Sequence, residues 1–353
     1  VASANQQLAD DAVAHRLFLL RFEAGTVRAM LDAYHVALGT TERRLKVLHA
    51  QAAAGKTVSP AAIARLVETR AALTAEVRAL DPILNAILHG RLVEAAEVEA
   101  RVSQAKLLSA VAPEVRALLA GVPTAQVAAA VMQPIGGTLW SDRISRDLFE
   151  LQDALKRQIG ASLAAGSSIP RAAKALKDAV GVVETYRNRL VSIARTEIQR
   201  VANTVALANY QHNSDVVGGV VYLATLDSRT CLVCAPFHNK VFRYNGAGLL
   251  PPDAPAVPQH PRCRCFYAPV TRSWREMGLD IDDPGHRRRM DGKRPENMDF
   301  ESWLKRQPVE RQVEVFGPAR HDLWSNGRLR MDRFSDQGRV LNLGELAARY
   351  PSA

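Results

Sequence analysis

The stretch that decides the fold is DSRTCLVCAPF, Asp227–Phe237, followed across a Pro- and Gly-rich loop by QHPRCRCFYAP, Gln259–Pro269. All four cysteines of the 353-residue chain fall in these two stretches: Cys231, Cys234, Cys263 and Cys265, with His260 beside the second pair. Upstream of Asp215 the apolar residues recur at three- and four-residue spacing, the period of a helix. Downstream the period drops to two: GGVVYLATLD, KVFRY and CRCFYAPV are short, β-branched and aromatic runs bounded by Gly, Pro and Asn, and read as strands.

Three chemistries compete for the cysteine window. A Cys-x-x-Cys turn places two thiolates where both reach one tetrahedral zinc at ~2.3 Å. The second stretch then offers three more candidates, so five donors stand for four positions. Cys263 and Cys265 alternate along an expected strand and would face opposite sides of it. That favours Cys231, Cys234, His260 and one of the two late cysteines; a bend at the strand start would allow an all-cysteine site instead. A disulfide is the second chemistry. The N-terminal VASANQQLADD has neither a basic start nor an apolar core of a signal peptide, so folding in a reducing compartment is expected, where disulfides are rare. A redox Cys-x-x-Cys is the third, and it lacks its βαβ setting. A metal also has a physical purpose. NGAGLLPPDAPAVPQ can scarcely pack a core alone, and so small a β region generally needs a staple.

Catalysis is not expected. A catalytic zinc keeps an open position beside an acid or base. Asp227, His238, His212 and Glu197 are the only plausible helpers, and none sits in an H-E-x-x-H or H-x-E arrangement. There is no phosphate-binding loop, dinucleotide fingerprint or nucleophile elbow. Glu197 lies at the edge of an apolar stripe, which predicts a structural ion pair with an arginine or a bond to loop backbone.

The rest of the chain reads as helix. Residues 5–38 and 60–80 carry the helical period, with Thr40–Ala52 extending the first helix or forming its own, then pieces at about 82–108 and 112–132. QPIGGTLWSD, Gln133–Asp142, is a break. Leu148, Leu151, Leu155, Ile159 and Leu163 share one helical stripe, ended by Gly166. A short helix from SSIPRAAKALKDAVG and a long one over Tyr186–Gln211 follow. After Met277 a polar connector leads to one or two helices in FESWLKRQPVERQVEVFG, then a short extended piece and a final helix. The fold class is α+β, predominantly α: a long helical N-terminal region, a small zinc-stapled β-containing module and a short helical C-terminal tail.

The net charge of +10 is diffuse, +2, +4 and +4 over residues 1–120, 121–261 and 262–353. One dense cluster exists in HRRRMDGKRP, His286–Pro295. Arg287, Arg288, Arg289, Lys293 and Arg294 are the candidate contacts to packaged double-stranded DNA, expected to be weak and sequence-independent. No run approaches the ~18 apolar residues of a membrane span, and no membrane partner is expected.

The order ARTE (Ala194–Glu197) on a long helix, YLATLDSRTCLVC (Tyr222–Cys234) and HPRCRCFYAPV (His260–Val270) resembles the phage Mu F-type minor head proteins, the phage head morphogenesis family. Matching positions are Arg195, Thr196, Glu197, Asp227, Arg229, Thr230, Cys231, Cys234, His260, Pro261, Cys263, Arg264, Cys265 and Pro269. Among them Arg195, Glu197, Asp227 and Arg229 stand as structural motif residues. The resemblance covers roughly residues 140–350. One departure is His238–Asn239, where many members carry Asp-Gly after the Cys-x-x-Cys. The resemblance implies a structural, non-enzymatic minor capsid protein made in the host cytoplasm and placed in the virion, in the capsid interior near the portal vertex. Its implied partners are the phage portal protein and the major capsid or scaffold protein. A DNA-binding or DNA-processing protein, nuclease- or toxin-like and carried in the virion, is the alternative. The expected division is a helical N-terminal region (1–135), the helical part of the head-morphogenesis domain (136–214), the zinc-binding module (215–275) and the connector with its helical tail (276–353).

Overall fold

The computed structural model describes residues 4–351 apart from 57–58, 112, 165–168, 226–229, 274–275, 277–298 and 337–338. Asp227, Arg229, the helix end at Gly166 and the basic cluster Arg287–Arg294 therefore lie outside the described residues. The chain is predominantly helical and divides into two compact units. One comprises Leu19–Ala95 and Val131–Ile198; the other comprises Val1–Phe18, Ala96–Ala130 and Gln199–Ala353.

Four long helices supply the first unit: the larger parts of α1 (Ala4–Ala53), α2 (Pro60–Ala110) and α6 (Ile169–His212), and the whole of α5 (Trp140–Ala164). In α5 the stripe Trp140, Ile144, Leu148, Leu151, Leu155 and Ile159 is buried, as the three- and four-residue spacing dictates. Leu66, Leu73, Leu80, Leu84, Leu88 and Leu92 do the same along α2. The helices are also tied by polar bonds: Tyr34 Oη donates to the Val183 carbonyl (3.2 Å), Ser145 Oγ to Asp81 (2.9 Å) and Lys156 Nζ to Thr74 Oγ1 (2.6 Å).

Thr40–Ala52 extends the first helix, which runs unbroken to Ala53. Two expected breaks are absent: α2 continues through Pro82, and α6 passes Gly181 without the division expected before Tyr186. A proline removes one i→i−4 bond and a helical glycine costs about 1 kcal/mol relative to alanine. Burial of Leu80 and Leu84 around Pro82, and of Ala179 and Val183 around Gly181, offsets those local costs. Conversely, the helix expected over 112–132 is two short ones, α3 (Pro113–Arg116) and α4 (Thr124–Val131), parted at Gly121–Pro123.

The second unit holds the β module. Strands β1 (Val217–Leu223), β2 (Val241–Arg243) and β3 (Phe266–Thr271) form an antiparallel sheet in the order β2-β1-β3, with Val220 opposite both Phe242 and Pro269. Pro269 is tolerated because β3 is an edge strand. Gly219 is required: a Cβ there would lie 2.4 Å from the Phe242 carbonyl oxygen. Ala206 and Tyr210 of α6 pack on Val217, Val220 and Tyr222, and Tyr267 meets Tyr222 edge-on at 5.4 Å. At the helix-to-strand turn the Asn213 amide bonds both ways with the Ala120 backbone, accepting from its N–H (2.8 Å) and donating to its carbonyl (2.9 Å).

The tail folds into short pieces: α7 (Phe300–Leu304), α8 (Val309–Phe316), α9 (Pro318–Ser325), the two-residue strands β4 (Ser335–Asp336) and β5 (Arg339–Val340), and α10 (Leu343–Arg349). Asp299 caps α7 by accepting from the Ser302 N–H (2.6 Å), and Asn342 with Glu345 forms a capping box on α10. No helix among the described residues is long and apolar enough to cross a membrane.

Candidate metal centre

Two tight turns bring the donors together. The first follows β1 and spans Cys231–Cys234. The Cys234 and Ala235 N–H groups both donate to the Cys231 carbonyl, at 3.1 and 3.0 Å. Ahead of it the Thr230 hydroxyl donates to the Thr225 carbonyl. The second turn spans His260–Cys263, where the Cys263 N–H donates to the His260 carbonyl at 3.1 Å. The two turns are thus alike: donor, two intervening residues, donor, with the same i+3 to i backbone bond. Arg262 supports the second by adopting a left-handed φ of 60°.

Across these turns Cys231 Sγ and Cys234 Sγ lie 3.1 and 3.3 Å from His260 Nε2, and Cys234 Sγ lies 3.8 Å from Cys263 Sγ. Two sulfurs bound tetrahedrally at ~2.3 Å stand ~3.8 Å apart, so the last distance is the edge that such a site requires. His260 Nδ1 lies 2.9 Å from the Pro261 carbonyl oxygen. A carbonyl only accepts, so Nδ1 donates to it, and Nε2 is the ring nitrogen aimed at the sulfurs and available to a metal once its own proton is lost.

All five candidates converge. The donor atoms of Cys231, Cys234 and His260 lie within 4.8 Å of one another, as do those of Cys234, Cys263 and Cys265. The expectation that Cys263 and Cys265 face opposite sides of a strand does not hold. Strand β3 begins only at Phe266, both cysteines precede it, and both are buried beside Cys234. Strand alternation has no force in an irregular segment.

The electrostatics fit a cation site. Hydrogen bonding from Cys234, then from His260, pulls the Cys231 thiol down to about 4. The same kind of bond from Cys234 and Cys265 holds Cys263 well below the ordinary thiol range. Cys231 and Cys263 in turn push His260 up to about 11. Cys234 and Cys265 are instead held above the ordinary thiol range, so the metal-free donors share protons among themselves, and a divalent ion would take the place of those protons.

Two supporting residues are not among the candidate donors. The Gln259 amide donates to Tyr222 Oη at 2.8 Å and to Cys234 Sγ at 3.7 Å. Burial raises the Tyr222 hydroxyl far above its usual range, and the cysteines around it add to the shift, so it remains a donor beside them. The adjacency of Gln259 to His260 and the place of Tyr222 on the strand that leads to the first turn are the signals that point to them.

The other motif residues take different places. Glu197 is fully buried on α6 in the first unit and pairs with Arg143 of α5. Its neighbour Thr196 donates to the Ser192 carbonyl at 2.7 Å, and Arg195 is half-buried. Asn239 adopts a φ of 63°, a left-handed conformation that Asn tolerates better than most residues. His238 is buried, and its Nδ1 accepts from the Ala224 N–H at 3.1 Å. His238 is thereby committed to the backbone.

Residues 153–268 match the family model described as Phage Mu protein F like protein. The matched segment contains both turns and all five candidate donors. No curated protein and no solved structure matches the chain significantly.

Proposed function

We propose that this chain is a structural head-morphogenesis protein of a tailed phage, whose metal-stapled module serves as a rigid adaptor between the portal and the capsid interior. The observation that carries the reading is the convergence of Cys231, Cys234, His260 and Cys263 inside the segment that matches the Mu F-like model. Zinc is the metal of choice for such a set, because three thiolates and an imidazole at tetrahedral spacing suit a closed, non-redox structural site. Cys265 is the fifth donor, beside Cys234, Cys263 and Tyr222. The role is architectural. With four protein donors, no position is left for a substrate.

The partners in this reading are the portal protein, the major capsid or scaffold protein, and weakly the packaged DNA. The place is the virion, inside the capsid near the portal vertex. Quantitative mass spectrometry of purified heads tests it. A fixed copy number per portal, retained through high-salt washing, is the expected result. Absence from heads, or a copy number that varies between preparations, would favour a DNA-processing protein instead.

A further inference from the structure

The residues around the first pair of cysteines belong to two different cores. Cys234, with Cys263 and Cys265, packs into the sheet core. Leu232, between the cysteines, and Ala235, just after them, are buried instead with Phe300, Leu304, Phe334 and Leu346 of the tail. Apart from Leu232 and Ala235, every buried member of that second core comes from the tail itself. Asp299, the cap of α7, lies close enough to His238 for its charge to act on that ring.

The tail is poorly equipped to fold alone. Its helices run five to eight residues. Isolated helices shorter than ~12–15 residues are marginal in water, so these depend on packing. A chain of this size also has little core of its own. Leu232 and Ala235 complete it, and the turn that presents them is the one whose ends are two metal donors.

We propose that the Cys231–Cys234 turn is the docking point for the chain's own C-terminal module, so that filling the metal site fastens residues 300–350 to the sheet and emptying it releases them. This rests on the metal-binding reading of the site. A bound ion fixes Cys231 and Cys234 in one geometry, and Leu232 with Ala235 is then held in the shape that the tail core requires. Without the ion nothing ties the Cys231–Cys234 turn to the His260–Cys263 turn, the first turn is free to open, and the tail loses the two residues that close its core.

Hydrogen exchange on the full-length chain under reducing conditions, before and after chelation, tests this, with metal content measured on the same samples. Exchange across Trp303–Ser325 is expected to quicken at least tenfold on chelation, while α5 is unchanged. Leu304→Asp, which leaves every donor intact, is expected to release the tail equally while the metal stays bound. Chelation that strips the metal yet leaves the tail protected would overturn the proposal, as would a Leu304→Asp tail that stays as protected as the parent. A chain that neither holds nor takes up metal would defeat the metal reading itself, and the separate metal assay identifies that case.

Discussion

Cys234 and Cys263 are 29 residues apart in sequence, yet their Sγ atoms lie 3.8 Å apart at the meeting of two similar turns. Their approach closes the Pro-rich loop between them. In the proposed ligand set Cys263 and Cys265, near neighbours in sequence, take different roles. Cys263→Ser is expected to weaken metal binding at least a hundredfold, because it removes one of four donors. Cys265→Ser is expected to leave the stoichiometry unchanged. Competition titration with a chromogenic chelator measures both; equal losses would assign Cys265 to the metal as well.

The Arg143–Glu197 pair makes a second expectation. Glu197 is fully buried, and losing its guanidinium partner leaves a charge in a low-dielectric setting. Arg143→Ala should cost about 3 kcal/mol of stability, whereas Arg143→Met with Glu197→Leu should recover most of it, since an apolar pair avoids the desolvation penalty. Urea unfolding of the three proteins decides this. A single variant within about 1 kcal/mol of the parent would show the pair to be dispensable.

His238 predicts a pH dependence. Burial holds its ring down to about 4, against the smaller upward pull of Asp299. Its folded-state value lies below the ~6.5 of an unfolded chain, so the unfolded state takes up the proton first. The contribution is fully present above about pH 6.5 and is lost as the pH falls toward 4, by roughly 3 kcal/mol at most. His238→Asn keeps an acceptor for Ala224 and should flatten that slope in denaturation curves taken at equal metal content. A slope identical to the parent's would place the acid sensitivity elsewhere.

Much of this is legible in the sequence. The helical period of α5 and the β-branched and aromatic run that becomes the almost wholly buried strand at Val217 require only local chemistry, and the clustering of every cysteine marks the site. Helix ends are harder. Pro82 and Gly181 are local breakers whose cost is offset by packing from distant segments, which a local pattern does not contain. The relation of Cys263 to Cys265 escapes the pattern for a similar reason: strand alternation does not govern residues that lie just ahead of the strand. The dependence of the tail core on Leu232 joins segments some seventy residues apart, beyond the reach of any periodicity.

The basic cluster gives a solution test. Neutralising Arg287, Arg288, Arg289, Lys293 and Arg294 should lower the slope of log affinity for DNA against log salt by a few units, because each phosphate that the protein no longer neutralises keeps about one condensed counterion. Zinc content should not change. A slope unaffected by the five substitutions would remove this segment from the DNA-binding surface, and a salt-insensitive, sequence-specific site would favour DNA processing over an adaptor role.

X-ray absorption at the zinc edge of the purified full-length chain bears most directly on the metal-stapled adaptor. The expected result is one zinc per chain with three sulfur neighbours at ~2.3 Å and one nitrogen at ~2.0 Å. Protein holding less than about 0.3 equivalents of zinc, with all four thiols reduced and free after purification without chelators, would contradict it.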